Sequence, residues 1–256
     1  MPTPARWSRL PLPSDGAPPL RRRALLQAAG LWAGSAGWQA AWAQSPPSRV
    51  VELHGDVLRN GVPLTAQDMV AAGDRLETGP GARAVLTVGD SAFLVRENTR
   101  LSLDGDSPVA VRALRLLQGA VASVWSRGPD RRIVTPTMTA GIRGTGVYVE
   151  VLAAEDFRSY FCNCYGTVDI AAGSDRTVST STYHQSFWAE ASPRAGHTLF
   201  PAPAIRHSDE EMEMLAALVQ QRTAWQISGR KGARDGSGHQ YGEEPAGASP
   251  TYPSAN

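Results

Sequence analysis

Two cysteines one residue apart, Cys162-Asn163-Cys164, form the most reactive pair in the sequence. On a strand, residues i and i+2 point to the same face, so both sulfurs emerge side by side. Their Cα atoms would then stand about 6.5–7 Å apart, at the upper limit for a disulfide. A bridge enclosing one residue also gains little from loop closure, so it is expected to be strained and easily reduced. Two same-face thiolates can instead supply half of a tetrahedral zinc or copper site. The histidines available to complete it are His184, His197 and His207. His184 falls on the next strand, which can pair with the first as a hairpin, and His207 immediately precedes a helix cap. The competing reading has no cofactor and makes both thiols small buried hydrophobes.

A second group is Arg143-Gly144-Thr145, followed by Gly146. Glycines around a threonine at the start of a strand permit a tight corner. The same geometry can leave backbone N–H groups free as an anion nest, with Arg143 adding charge for a ligand or partner. No Lys-Ser/Thr pair follows, so this is not a phosphate loop. Neither a Gly-x-Ser-x-Gly elbow nor a His-Glu-x-x-His helix occurs, and the expectation is a protein that is not an enzyme. Trp125 and Trp188 are candidate stacking platforms for a glycan or peptidoglycan ligand, although aromatic residues make up only 7% of the chain, too few for an array.

The elements that must position these groups are short strands. Val50–Leu53, Val57–Arg59, Ala82–Val88, Ala92–Arg96, Thr99–Leu103, Ala113–Leu117, Ala120–Trp125 and Ile133–Thr135 all read as strands, and Asn60-Gly61 is a hairpin turn. Gly146–Leu152 alternates, with Val147, Val149 and Val151 on one face and Tyr148 and Glu150 on the other. Arg158–Ile170 is a second long strand, bent at Gly166, in which Tyr160, Cys162, Cys164, Val168 and Ile170 share one parity. Asp175–Phe187 is a third. Turn signals recur about every 8–12 residues, which predicts a mainly β fold, a β-sandwich or a β-solenoid, over residues 49–190. A loop and one C-terminal amphipathic helix fill 191–227. Ser208 is its N-cap, Glu211 completes a capping box, and Met212, Leu215, Leu218 and Val219 share a face. Residues 228–256, rich in Gly, Ser and Pro, read as a disordered tail.

Of the 256 residues, Lys and Arg number 25 and Asp and Glu 24, a formal net charge of +1. The basic part is concentrated at the start. Arg21, Arg22 and Arg23 precede the uncharged run Ala24–Ala43, which closes on Ala41-Trp42-Ala43. A basic segment, an apolar run and small residues at −3 and −1 make a secretory signal over 1–43, with cleavage after Ala43 and a linker at 44–48. The string Arg22-Arg23-Ala24-Leu25-Leu26-Gln27 resembles the twin-arginine consensus. The alternative is a retained membrane anchor, but Gly30, Gly34, Ser35, Gly37 and Gln39 leave the run weakly hydrophobic. The leader carries five Arg and one Asp, so the mature chain has a charge of about −3, which argues against nucleic acid as a partner. The expected location is periplasmic or otherwise extracytoplasmic, with membrane anchoring only if the signal is not cleaved.

Several segments in order carry a family pattern: Gly55-Asp56-Val57, then Ala72-Gly73-Asp74-Arg75-Leu76-Glu77-Thr78-Gly79, Ala82–Val88 and Ser91–Leu101. Val134-Thr135-Pro136-Thr137 and the run Ala140–Val149 around Arg143-Gly144-Thr145-Gly146 complete it. Over roughly Val50 to Ile170 the chain resembles the FecR domain. The resemblance implies a periplasmic sensing module that relays a signal through protein contacts in the cell envelope; the family's sensor also has a cytoplasmic segment that controls a sigma factor. Only a short Pro/Arg leader precedes the apolar run here, so the expectation is a stand-alone binding or assembly module.

Overall fold

The computed structural model of the protein describes residues 48–128 and 131–241. The expected export signal, with Arg22, Arg23 and the cleavage after Ala43, the 44–47 part of the linker and residues 242–256 lie outside them. The described chain is mainly β, as its alternating patterns require. Its strands are β1 (Arg49–His54), β2 (Val57–Arg59), β3 (Val62–Pro63), β4 (Arg75–Thr78), β5 (Arg83–Val88), β6 (Ser91–Val95), β7 (Arg100–Ser107) and β8 (Ala110–Trp125). There follow β9 (Arg131–Val134), β10 (Thr139–Ile142), β11 (Gly146–Leu152), β12 (Arg158–Ala172), β13 (Asp175–Ser181), β14 (Tyr183–Arg194), β15 (His197–Ala202) and β16 (Ser237–Gly238).

The strands make two layers that share their longest members. One sheet runs β1-β5-β6-β8-β11-β12-β14-β15, with β16 completing the start of β14. The other runs β3-β2-β4-β7-β8-β9-β10-β12-β13, and only its β8–β9 pair is parallel. Because β8 and β12 belong to both, the path β8-β11-β12-β10-β9 closes on itself like a barrel. The sandwich expectation therefore holds, with strands that turn the corner between sheets.

Each corner is a glycine. Gly119 in β8 has φ +79°, and a Cβ there would lie 2.3 Å from Thr99 Oγ1. Gly166 in β12 has φ +100°, and a Cβ would lie 2.5 Å from Thr145 Cγ2. A left-handed residue in a strand reverses which parity faces inward. Leu114 and Leu116 before the first corner, and Val121 and Trp125 after it, thus reach the same inter-sheet core. In β12, Phe161 enters that core before Gly166, and Val168 and Ile170 enter it afterwards. The shared parity expected for Tyr160, Cys162, Cys164, Val168 and Ile170 is corrected accordingly. Tyr160, Cys162 and Cys164 face the opposite side, a second apolar layer outside the first sheet.

That second layer is roofed by a helix, Asp209–Leu218, and a shorter one, Ala224–Ser228. Ser208 caps the first through the expected capping box with Glu211, and Met212, Leu215 and Ala216 bury against Val85, Leu94 and Val124 with Trp225 of the second helix. Each such side chain contributes about 1.5–3 kcal/mol of burial. Further boundaries move. The third long strand breaks at Thr182 into β13 and β14, and β14 runs on to Arg194. Residues 197–202, expected as loop, form β15, because the Asp175 carboxylate accepts the backbone N–H groups of Thr198 and Leu199 at 2.6 and 2.9 Å. The disordered tail is corrected for residues 229–241, which pack. β16 pairs with the otherwise open edge of β14, and the Arg234 guanidinium pairs with buried Asp209. No helix among the described residues is long and apolar enough to cross a membrane.

Candidate metal centre

Cys162 and Cys164 lie on β12 where it pairs with both β11 and β14, opposite Tyr148 on one side and Ser186 on the other for Cys162. Both are fully buried free thiols. His184 enters beside them through an irregular start of β14. Its φ is +52°, and the pairing with β16 shifts register between Tyr183 and Gln185. Arg206, just before His207, also has a left-handed φ of +62°. Non-glycine residues in that region cost about 1–3 kcal/mol each and persist where surrounding contacts over-determine them. Here those contacts aim two imidazoles at two thiols.

The four side chains converge. The sulfurs are 3.8 Å apart, Cys162 Sγ is 3.5 Å from His184 Nδ1, and Cys164 Sγ is 3.4 Å from His207 Nε2. The two facing ring nitrogens are 3.2 Å apart, and all four donor atoms lie within 4.8 Å of one another. With metal–sulfur bonds near 2.3 Å and metal–nitrogen bonds of 2.0–2.1 Å, a regular tetrahedron has S–S, S–N and N–N edges of about 3.8, 3.6 and 3.3 Å. The cluster has the dimensions of a four-coordinate Cys2His2 cage and can hold a metal ion.

The outward nitrogens fix the tautomers. His207 Nδ1 is 2.7 Å from the Ile205 carbonyl, which only accepts, so Nδ1 carries the proton and Nε2 turns its lone pair inward. His184 Nε2 donates to Asp209 Oδ1 at 3.0 Å, which leaves Nδ1 facing the sulfurs. A ligand histidine held through its other nitrogen by a carboxylate or a carbonyl is the usual outer arrangement of a metal site. Asp209 is in turn held by the Tyr183 hydroxyl at 2.8 Å, Lys231 Nζ at 2.8 Å and Arg234 Nη1 at 2.7 Å. Tyr148 stacks on His207 at 4.7 Å, and Trp225 stacks on His184 at 5.2 Å.

Electrostatics follow from this crowding. Burial pushes the Cys162 thiol up, but the Cys164 hydrogen bond and the two histidines outweigh it and hold Cys162 well below the usual thiol range. Burial and the neighbouring Cys162 sulfur push Cys164 well above it. Burial disfavours charge on His184, yet Asp209 and Cys162 raise its basicity. Burial would raise the Asp209 carboxyl, but hydrogen bonds from His184, Lys231 and Tyr183 keep it far below the carboxylate norm. The Tyr183 phenol is pushed up to about 12 by burial and by Asp209. A cation entering the cage meets one thiolate already formed and displaces protons from Cys164 and His184.

Residues 74–159 match the family described as FecR protein. The chain carries a FecR domain. No curated protein and no solved structure matches the chain. The FecR match covers most of β4 to β11 and stops short of Cys162, so all four cage residues lie C-terminal to the matched segment.

Within the FecR segment, Arg143, Gly144 and Thr145 form the corner between β10 and β11. Arg143 is exposed and paired with Asp169 at 2.6 Å, and Thr145 is buried, its carbonyl accepting the Trp125 N–H. Trp125 itself is fully buried in the core, edge-on to Phe93 at 5.2 Å, so it is no platform for a sugar. Trp188, beyond the FecR segment, is partly buried, with the Arg158 guanidinium 3.9 Å over its ring. His197 sits apart from the cage, 3.3 Å from Asp175. Sequence reasoning missed Asp209, Lys231 and Arg234. Asp209 was legible as a residue of a helix's first turn, and its burial was the unread signal.

Proposed function

We propose that this protein is an extracytoplasmic FecR-domain module of envelope signalling or assembly, working through protein contacts without catalysis, and that it holds one structural zinc ion at Cys162, Cys164, His184 and His207. The signalling role is supported by the FecR domain, whose family acts through protein partners. The zinc is supported by one observation, the tetrahedral spacing of the four donors. Two thiolates and two imidazoles at tetrahedral spacing suit zinc, whereas copper(II) favours tetragonal nitrogen and oxygen sites. Four protein ligands fill the coordination sphere, which is the pattern of a structural rather than a catalytic zinc. The ion would tie β12 to the start of β14 and to the connection that leads into the roofing helix.

Elemental analysis of protein purified from its native envelope tests the metal. The expected result is one zinc per chain, lost in Cys164→Ser while far-ultraviolet circular dichroism keeps its β signature. Metal-free wild-type protein with two titratable thiols would remove this reading. Fusing residues 1–50 to a reporter, with Arg22 and Arg23 changed to Lys, tests the route: export should stop, and export that continues would point to the general secretory pathway.

A further inference from the structure

We propose that residues 229–241 are a strap that governs metal exchange at this cage, with Arg234 as its latch; the inference rests on the metal reading above. The strap is built around the two histidines. Its β16 pairs Gly238 with Tyr183 and Ser237 with Gln185, the residues on either side of His184. Thr182 N–H donates to the Gly238 carbonyl at 2.8 Å, Ser186 N–H to the Gly236 carbonyl at 3.3 Å and Ala204 N–H to the Arg234 carbonyl at 3.1 Å. The segment therefore runs along both chain stretches that deliver a histidine.

Arg234 makes the link to the donors themselves. Its Nη1 bonds Asp209 Oδ1, the acceptor of His184 Nε2–H, and its Nη2 bonds the His207 carbonyl at 2.6 Å. One guanidinium thus bridges the carboxylate that orients one ligand and the backbone that carries the other. Lys231, from the same strap, holds the second oxygen of Asp209. Cys162, Cys164 and His184 are fully buried and His207 nearly so, and strap and helix together cover them. An ion leaves only when that cover opens, and the element with the fewest apolar anchors is the one that opens first. By linkage, whatever metal affinity the strap confers, bound metal returns as strap docking. Arg234 is a positioning residue: it acts through Asp209 and His207 and touches no ion.

The test measures zinc release from loaded full-length protein into excess chromogenic chelator. Removing an outer partner of a metal site typically weakens it about 10–100-fold. Arg234→Ala should release zinc faster by about that factor, and Arg234→Lys should fall between it and wild type. Leu103→Ala, in the inter-sheet core far along the chain from the cage, serves as the control; it destabilises the fold and should leave the release rate unchanged. Hydrogen exchange supplies a second readout: stripping zinc from the wild type should speed exchange in 229–241 and 203–208, with β7 and β8 unaffected. Zinc bound by the wild type but released at one rate from wild type, Arg234→Ala and Arg234→Lys would overturn the strap and spare the metal site. A wild type that takes up no zinc would overturn both.

Discussion

Free zinc concentration should set the thermal stability of this protein. The four ligands are scattered, with 22 residues between Cys162 and His184 and 43 between Cys164 and His207. Closing an interval of 43 residues costs an unfolded chain about 4 kcal/mol on chain-entropy scaling, so the complete cage belongs to the folded state. A ligand bound only by the folded state stabilises it by about 2.7 kcal/mol at a free concentration 100 times its dissociation constant. For a domain of roughly 200 residues, each kcal/mol moves Tm by about 2–4 °C, which gives a rise of about 5–11 °C. Every further tenfold increase adds about 1.4 kcal/mol, or about 3–6 °C. The assay is differential scanning calorimetry in buffers that clamp free zinc over several decades, run on wild type and on Cys164→Ser. Wild type should climb with the logarithm of free zinc, and Cys164→Ser, which keeps three of the four ligands, should lose most of that slope. A wild-type Tm that ignores free zinc, or an equal climb in Cys164→Ser, would refute the reasoning.

Gly166→Ala should cost more than about 2 kcal/mol, because it puts a Cβ at a φ of +100° and 2.5 Å from Thr145 Cγ2; a urea midpoint close to wild type would count against the corner. Ser208→Ala removes the cap of the roofing helix and should lower stability by about 1 kcal/mol, read by the same titration, with no change expected if the helix is held by packing alone. Asp175→Asn tests the β15 anchor through pH. Burial favours the neutral acid, but the N–H groups of Thr198 and Leu199 prevail and lower the folded pKa below the unfolded one. The stabilisation is therefore present above the unfolded value and fades as pH falls through the folded one. Wild type should exceed Asp175→Asn by about 1.5–3 kcal/mol at pH 6, the gap narrowing below about pH 4, and equal midpoints at pH 6 would defeat this account.

Much of the fold was legible because its signals are local. Asn60-Gly61 predicts the β2–β3 hairpin, alternation predicts the two faces of β11, and Ser208 with Glu211 predicts the helix start. The pairing of Cys162 and Cys164 on one face was legible for the same reason. What failed was non-local. Counting by twos carries the face of Cys162 onward to Val168, whereas the left-handed Gly166 reverses it, and only the close approach of Thr145 reveals that the strand must turn there. Residues 229–241 look disordered because Gly and Ser offer no apolar pattern. They are held instead by an edge strand and a buried carboxylate supplied by distant parts of the chain.

The position of the FecR match gives the metal a structural rationale. The matched segment ends at residue 159, and the strands it contains already close much of the inter-sheet core. The later chain lies largely on the other face of the first sheet, where its apolar layer is thin: two short helices contribute Met212, Leu215, Ala216 and Trp225. A roof of that size buries little area, and small units of this kind are commonly stapled by a metal or by disulfides. Cys162 and Cys164 stand on the sheet, His184 at the edge strand and His207 in the chain entering the roof, so one ion would join all three parts. A disulfide between the two cysteines would join none of them, since both belong to β12. The cage is therefore placed where a cross-link stabilises the addition most, and removing its metal should loosen the roof and strap before it disturbs the FecR domain beneath.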